Sequence, residues 1–204
     1  MPEHITKKED FSEAVPEYLL RLDLACGKNK KEGFKSVDKD ADANPDFLHD
    51  LLLYDSRWPF EDQSVYEIYC NQFIQKNTNK NLPYFMDEIY RILVPKGRIL
   101  IIAPYYTHIQ AYRKKNMSFI TEETFNEFKD RFDIKSTRYY FEPEWELRDI
   151  HAQDWARKHY FNVVLAIEVV LEKSIRKEIK GGNNDKKKRI IEKDTIFRKR
   201  NKRN

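Results

Sequence analysis

Seven short segments rich in apolar residues predict the strands of a sheet. The most apolar of them is 98–104, and its apolar residues are continuous rather than alternating. Such a run is typical of a central parallel strand that is covered on both faces. The other predicted strands are 19–24, 34–38, 46–51, 65–70, 134–141 and 161–171.

Two segments have the spacing of amphipathic helices. Residues 82–93 carry apolar side chains at helical intervals, and the following Pro95-Lys96-Gly97 is expected to end that helix. A second helix is predicted from Thr121, with a capping box in which Thr124 replaces the usual Glu. Its apolar face is expected to comprise Phe125, Phe128 and Phe132.

The first two connections between predicted strands are short. Parallel neighbours usually need a crossover of a dozen or more residues, whereas only 28–33 and 39–46 are available here. We therefore expect reduced or missing helices after strands one and two. The sheet face left thinly covered is a candidate surface for a homodimer.

The first predicted strand ends in Asp23, and Ala25, Cys26 and Gly27 follow in what reads as a turn. The next strand ends in Asp38. A small-residue turn after one strand and an acid at the end of the next is how an open α/β sheet holds a nucleoside-like cofactor. Turn geometry alone accounts for the same residues equally well.

Composition predicts one domain followed by a basic tail. The chain has 204 residues, and the tail 174–204 carries 13 Lys and Arg against four Asp and Glu, a charge of +9 that leaves −5 on 1–173. Few apolar residues in the tail predict disorder. No apolar run approaches the ~20 residues of a membrane span. Two cysteines and a polar N-terminus favour the cytoplasm.

The order of these segments resembles the class I S-adenosylmethionine-dependent methyltransferases, in particular a compact microbial or phage type similar to the type 11 group. The likeness runs from about Leu19 to Phe128 and more loosely to Leu171. It implies a Rossmann-like, mostly parallel sheet of order 3-2-1-4-5-7-6 with strand seven antiparallel, and S-adenosylmethionine as cofactor. The segments that carry it are 22–27, 33–38, 49–51, 59–69 and 88–98.

The resemblance also implies cofactor-binding roles at the strand ends. Asp23 would lie beneath the loop of Ala25, Cys26 and Gly27, which would face the methionine part of the cofactor. Asp38 would accept hydrogen bonds from the ribose hydroxyls. Ordinary turn formation is the alternative role of Asp38.

The resemblance also implies roles for two pairs of residues that follow later strands. Asp50 and Leu51 would border the adenine, and Asn71 with Gln72 would line the junction between cofactor and acceptor. Helix capping is the alternative for Asp50, and a turn is the alternative for Asn71.

The chain departs from the family pattern at two places. Ala25 stands where Gly is usual, and no acid or His follows the fourth strand at Asn71 and Gln72. The second departure removes a ready base and is compatible with weakened activity.

On the acceptor side, His108 is the candidate base, with Asn71 as a second candidate for a catalytic role. Tyr105, Tyr106 and Tyr112 are candidates for an aromatic wall, and Arg113 with Lys114 and Lys115 for contacts to a phosphate or carboxylate. The alternative for His108 is an exposed loop histidine. The tyrosines could instead pack within the loop, and the three cations could be solvated surface charge. No metal site is predicted.

Three functions remain open from the sequence. The favoured one is a methyltransferase acting on an unidentified small molecule or glycan. The second is a methyltransferase that acts on nucleic acid or protein and uses the basic tail to hold phosphates. The third is a non-catalytic module that binds S-adenosylmethionine or a partner.

Cys26 and Cys70 follow neighbouring strands in the implied sheet, so their thiols are expected to lie close together. Packing is the favoured reason, and a redox-sensitive pair is the alternative.

Overall fold

The computed structural model describes residues 19–54 and 56–175, so the predicted tail lies outside the described residues, apart from Ser174 and Ile175. Seven strands form one sheet in the order β3-β2-β1-β4-β5-β7-β6, which confirms the predicted topology. The strands are β1 Leu20–Leu24, β2 Lys35–Asp38, β3 Phe47–Leu48, β4 Val65–Asn71, β5 Leu93–Pro104, β6 Phe132–Phe141 and β7 Val164–Lys173.

Strand direction places the loops of the sequence motifs at one edge. β3, β2, β1, β4 and β5 pair in parallel, and β7 runs antiparallel to both β5 and β6. The carboxyl ends of the five parallel strands therefore meet at the same edge, where ligands bind in open α/β sheets.

Four helices cover parts of this sheet, namely α1 Leu82–Ile92, α2 Glu122–Asn126, α3 Pro143–Glu146 and α4 Ile150–His159. The helical spacing of α1 buries Phe85, Met86 and Ile89 completely. Each of these side chains contributes about 1.5–3 kcal/mol of burial free energy. The sequence analysis assigned neither α3 nor α4. No helix in the described part of the chain has the length and apolarity to cross a membrane.

The predicted reduction of the first helices is confirmed. Residues 25–34 join β1 to β2 through turns without a helix, and β2 is followed only by the short 3₁₀ helix Ala41–Ala43. These connections obtain their order from side chains, as described below.

Three boundaries differ from the prediction. α1 ends at Ile92 and β5 begins directly at Leu93, so Pro95-Lys96-Gly97 lies inside the strand rather than ending the helix. Lys96 takes φ = 63°, and the β4–β5 pairing shifts register there, which lets the chain bend.

The other two differences are shorter elements than the sequence predicts. β3 has only two residues. α2 has the predicted capping box but ends at Asn126, so Phe128 and Phe132 are buried from positions beyond the helix.

A buried ion pair fixes α1 to the loop before β4. The Glu88 carboxylate accepts hydrogen bonds from the Trp58 amide at 2.8 Å and from Arg91 at 2.7 and 2.9 Å. Burial alone raises the pKa of Glu88, but these bonds outweigh it and hold the pKa below its ordinary value. Arg91 also donates to the Phe60 carbonyl at 2.7 Å. The loop is thereby attached to the helix at several points.

A serine–carboxylate pair connects β2 to the start of β3. Asp46 accepts from the Ser36 amide at 2.9 Å and from its hydroxyl at 2.7 Å, and that hydroxyl accepts from the Asp46 amide at 2.9 Å. Ser36 is buried. These bonds, together with one from Lys35, hold the pKa of Asp46 well below its ordinary value. The pair fixes the positions of the two loops that carry Asp38 and Asp50.

We predict that Ser36→Ala lowers the free energy of unfolding by about 1–2 kcal/mol at pH 7, because the two partly buried bonds between the Ser36 hydroxyl and Asp46 are lost. Since the folded-state pKa of Asp46 is depressed, its stabilisation is present above about pH 4 and decreases as the pH falls below that value. The deficit measured by urea denaturation should therefore be smaller at pH 3 than at pH 7.

Ser64→Ala is the matched control for this measurement. Its hydroxyl makes an exposed bond of 2.8 Å to the Glu61 carbonyl, and its loss should cost less than about 0.5 kcal/mol. Equal losses in the two variants would contradict the role given to Ser36.

Candidate functional site at the carboxyl edge of the sheet

Three neighbouring clefts open at the carboxyl edge. The large cleft, about 520 Å³, is bordered by Ala25, Asp38, His49, Asp50, Leu51 and Gln72 among others. The basic cleft, about 500 Å³, is bordered by Gln72, Gln75, Lys76, Arg113, Lys114 and Lys115 among others. The small cleft, about 260 Å³, is bordered by Asp23, Ala25, Cys26, Lys31, Tyr69 and Asn71 among others.

Asp38 lies at the end of β2 and organises the loop beside it. One carboxylate oxygen accepts from the Gly27 amide at 2.8 Å, and the other accepts from the Asp40 amide at 2.9 Å. Each oxygen has a second lone pair, so the group can accept further bonds from a ligand in the large cleft. The position combines the turn-forming role and the ligand-facing role that the sequence left open.

Asp23 is buried at the end of β1 and accepts from the Lys31 amide at 2.8 Å. Burial raises its pKa, and the Lys31 amide and ammonium oppose that rise. The Lys31 ammonium also lies 4.3 Å from the centre of the Tyr69 ring. A carboxylate and an ammonium therefore border the small cleft together.

Asp50 does not cap a helix, since only a turn follows it. Its carboxylate accepts from the Leu52 amide at 3.0 Å and pairs with Lys39 at 3.2 Å. Leu51 is 2% exposed, yet it borders the large cleft. This turn forms one wall of that cleft.

Ala25 adopts φ = 54°, the left-handed region that favours glycine. Gly27 has the same φ. The loop conformation expected of the usual glycine is therefore present with alanine in its place. Ala25 borders both the large and the small cleft, so the two meet at this residue.

The predicted cofactor residues divide between these two clefts. Asp38, Asp50 and Leu51 border the large one, and Asp23, Cys26 and Asn71 the small one. Gly27 contributes through its bond to Asp38. Gln72 takes φ = 56° and borders both the large and the basic cleft, so it lies where these two clefts meet.

His108 occupies a structural position. Its Nδ1 accepts from the Gln110 amide at 3.2 Å, and its Nε2 lies 3.2 Å from Glu142. The ring is 4% exposed. An Nδ1 that accepts requires the proton on Nε2, so no lone pair is left to take a proton from an acceptor. The geometry argues against both the predicted base and the alternative of an exposed loop histidine.

The three tyrosines do not form one wall. Tyr105 is buried, and its hydroxyl bonds with Glu122 and Arg157. Tyr106 packs edge-on against Tyr105, with ring centres 4.9 Å apart. Tyr112 is half-exposed and packs on Phe119 at 4.9 Å and on Phe161 at 5.7 Å. None of the three is among the residues bordering the clefts described here.

Sequence reasoning gave no role to several residues that the structure brings to the large cleft. They are Lys39, His49, Leu52, Phe73, Lys76 and Met117. His49 directly precedes the predicted Asp50 and could have been found from that position. Its Nε2 is buried without a partner among the described residues, and burial lowers its pKa, so the ring is neutral at pH 7.

The two cysteines are free, and their chemistry favours packing. Cys70 is completely buried, and burial raises its pKa to about 12. A thiol with so little thiolate at neutral pH is a poor nucleophile for disulfide formation. Within the described residues, no group of three or more His, Cys, Asp or Glu is arranged to hold a metal ion.

Solved structures with a similar fold include methyltransferases. A SAM-dependent methyltransferase from Archaeoglobus fulgidus matches with a TM-score of 0.56 and 15% identity, over 76% of this chain and 86% of that one. This chain has the methyltransferase fold. A geranyl diphosphate methyltransferase solved with SAM matches with a TM-score of 0.54 and 13% identity, over 79% and 80% of the two chains.

The same fold also supports other chemistry. A [4+2]-cyclase, SpnF, matches with a TM-score of 0.53 and 13% identity, over 78% of this chain and 76% of that one. No protein-family model and no curated protein matches the chain. The likeness therefore establishes the fold, and the activity must be argued from the site.

We predict that Ala25→Gly raises the free energy of unfolding by about 0.5–1 kcal/mol. The left-handed conformation is strained for alanine and free for glycine, although glycine gains entropy in the unfolded chain. Urea denaturation at pH 7 measures the change.

Ala111→Gly is the matched control, because Ala111 is buried in a 3₁₀ helix without a positive φ. That variant should be destabilised by about 1 kcal/mol. Destabilisation of both variants to the same extent would show that Ala25 is not strained.

Proposed function

We propose that the protein is an S-adenosylmethionine-dependent methyltransferase. The observation that carries the proposal is the meeting of two clefts at Ala25, each with a carboxylate from a neighbouring strand end. Asp38 stands in the large cleft and Asp23 in the small one. The strand order of the methyltransferase fold supports the same assignment.

In this proposal the adenosine part of the cofactor occupies the large cleft. Asp38 accepts bonds from the ribose hydroxyls through the lone pairs that Gly27 and Asp40 leave free. Asp50 accepts from the adenine amine, with the Leu51 backbone beside it. The volume of about 520 Å³ is in the range of small-molecule sites.

The methionine part occupies the small cleft. Asp23 faces its ammonium, and Lys31 faces its carboxylate. Asp23 lies at the end of β1 and holds the loop that carries Lys31 through the Lys31 amide. The cofactor residues therefore depend on one another for their positions.

The bound cofactor would supply a methyl group on a sulfonium, a reactive cation. The chain supplies orientation, because in-line transfer gains most from holding the two reactants in place. Asp23, Asp38 and Asp50 also place carboxylates on the cofactor side, where they would attract the cationic groups of the ligand. His108 has no role in this step, since both ring nitrogens are engaged.

A second candidate is a module that binds S-adenosylmethionine without transferring methyl groups. Asn71 and Gln72 favour it, because they provide no acid or base at the end of β4. The two candidates predict the same cofactor binding and differ in whether the methyl group is consumed. Release of S-adenosylhomocysteine in the presence of candidate acceptors separates them.

The nucleic-acid and protein acceptors suggested by the basic tail stay predictions, because the tail lies outside the described residues. Removal of 186–204 followed by measurement of DNA and RNA retention at low salt tests that role. Unchanged retention would exclude the tail as an anchor.

We predict that calorimetry detects S-adenosylhomocysteine binding to the full chain, and that Asp38→Ala weakens it about 100-fold. Two bonds to a charged acceptor are lost, at about 1.5 kcal/mol or more each. Ala25→Gly should change the affinity less than Asp38→Ala.

Asp42→Ala is the control, since Asp42 is an exposed carboxylate in the same connection and does not border the large cleft. Circular dichroism at the titration temperature must show that each variant is folded. Absence of binding to the folded wild-type chain would overturn the proposal, and equal losses in Asp38→Ala and Asp42→Ala would overturn the placement of the ribose.

A further inference from the structure

The basic cleft adjoins the large cleft and differs from it in charge, because the carboxylates of Asp38 and Asp50 stand among the lysines of the large cleft. Gln72, Lys76 and Lys115 border both. A ligand in the basic cleft would thus lie next to a ligand in the large cleft. Under the proposed function this is the side from which an acceptor approaches.

Among the described residues, four cationic side chains and no carboxylate border this cleft. The cations are Lys76, Arg113, Lys114 and Lys115. None of them forms an ion pair with a carboxylate in the described part of the chain. Lys39 in the large cleft is different, because it pairs with Asp50 at 3.2 Å. Positive charge in the basic cleft is therefore uncompensated by carboxylates of residues 19–54 and 56–175.

The backbone that carries three of these cations is held in place. The Asn116 side chain donates to the carbonyls of Gln110 at 3.0 Å and Ala111 at 3.2 Å, and its amide donates to Arg113 at 2.8 Å. The Met117 amide donates to the Gln75 carbonyl at 2.8 Å. These bonds close a turn with Lys114 and Lys115 at its tip and attach it to the segment of Lys76. These hydrogen bonds therefore fix the backbone that brings the cations to one cleft. A run of solvated charges needs no such bonds.

A buried polar atom gives a second indication of a ligand. Gln75 borders the basic cleft and is 4% exposed, and its Oε1 has no hydrogen-bond partner among the described residues. An unsatisfied buried acceptor costs about 1–3 kcal/mol. A hydroxyl on a ligand in the cleft would satisfy it.

We propose that the basic cleft binds the phosphate or diphosphate group of a small acceptor that also carries a hydroxyl. The role of this ligand as a methyl acceptor rests on the proposed function. The anion site itself is argued only from the geometry of the cleft. A phosphate or diphosphate matches four cations better than a single carboxylate charge does, and the Arg113 guanidinium suits phosphate oxygens. A volume of about 500 Å³ suits a small ligand rather than a strand of nucleic acid.

Calorimetry of the full chain with sodium pyrophosphate tests the proposal. We expect binding that weakens as salt is raised, and about tenfold weaker binding for each of Arg113→Gln and Lys114→Gln, the loss of one charge-assisted contact. Lys135→Gln is the matched control, because Lys135 lies on strand β6 beside Glu172, and it should bind like the wild type.

S-adenosylhomocysteine titrated into the same variants makes the two proposals separable. Its affinity should be unchanged in Arg113→Gln and Lys114→Gln. Pyrophosphate binding without S-adenosylhomocysteine binding would overturn the methyltransferase and retain the anion site. Absence of pyrophosphate binding, or equal binding by all variants, would overturn the anion site alone.

A single-stranded oligonucleotide distinguishes the nucleic-acid alternative. If the oligonucleotide bound more than tenfold tighter than pyrophosphate and lost that affinity in Arg113→Gln, the small acceptor would be overturned in favour of nucleic acid. Oligonucleotide binding that is insensitive to Arg113→Gln would come from elsewhere in the chain and would support the small acceptor, provided that pyrophosphate binding remains sensitive.

Discussion

Carboxylates that accept hydrogen bonds from backbone amides hold the carboxyl edge of this sheet together. Asp23 holds the Lys31 amide, Asp38 the Gly27 amide, Asp46 the Ser36 amide and Asp50 the Leu52 amide, at 2.8–3.0 Å. In a doubly wound sheet, helices after the first strands would order these loops. Here the connections are too short for helices, so side chains of the strand ends provide the order.

This arrangement has a consequence for binding. Asp38 and Asp50 both stabilise a loop and border the large cleft, so the same groups serve the fold and the candidate site. Each oxygen engaged by an amide is fixed before a ligand arrives. Fixed acceptors lose little conformational entropy on binding a ligand, which compensates for the absence of a helix dipole beside the large cleft.

The strands and the positions of Asp23, Asp38 and Asp50 at their ends could be predicted because they depend on local pattern, whereas the strand order was implied by the resemblance to the methyltransferases. Apolar runs identify the parallel strands, and the carboxyl ends of such strands converge whatever the loops do. The exact boundaries of helices and strands could not be predicted, because they depend on contacts between elements. β5 begins at Leu93 because the chain pairs with Val65 directly after α1, and no local signal marks that pairing.

The observed positions of His108 and Tyr105 differ from the predicted ones for the same physical reason. His108 and Tyr105 follow a strand end, as ligand-binding residues do, yet their partners Glu142 and Arg157 lie 34 and 52 positions along the chain. Those contacts come from the connection between β6 and β7, which carries helices that the sequence analysis did not assign. The run of charge at Arg113, Lys114 and Lys115 predicted the location of a site better than His108 and Tyr105 did, because these three residues border the basic cleft.

The separation of charge between the clefts gives the site a direction. The carboxylates of Asp23, Asp38 and Asp50 border the large and small clefts, whereas four cations border the basic cleft, which shares Lys76 and Lys115 with the large one. Under the proposed function, the carboxylates would attract a cationic donor and the basic cleft would attract an anionic acceptor. Their attraction for each other would then act across Gln72, where the two clefts adjoin. An arrangement of this kind selects the order of the two ligands in space through electrostatics, before any contact specific to the acceptor is made.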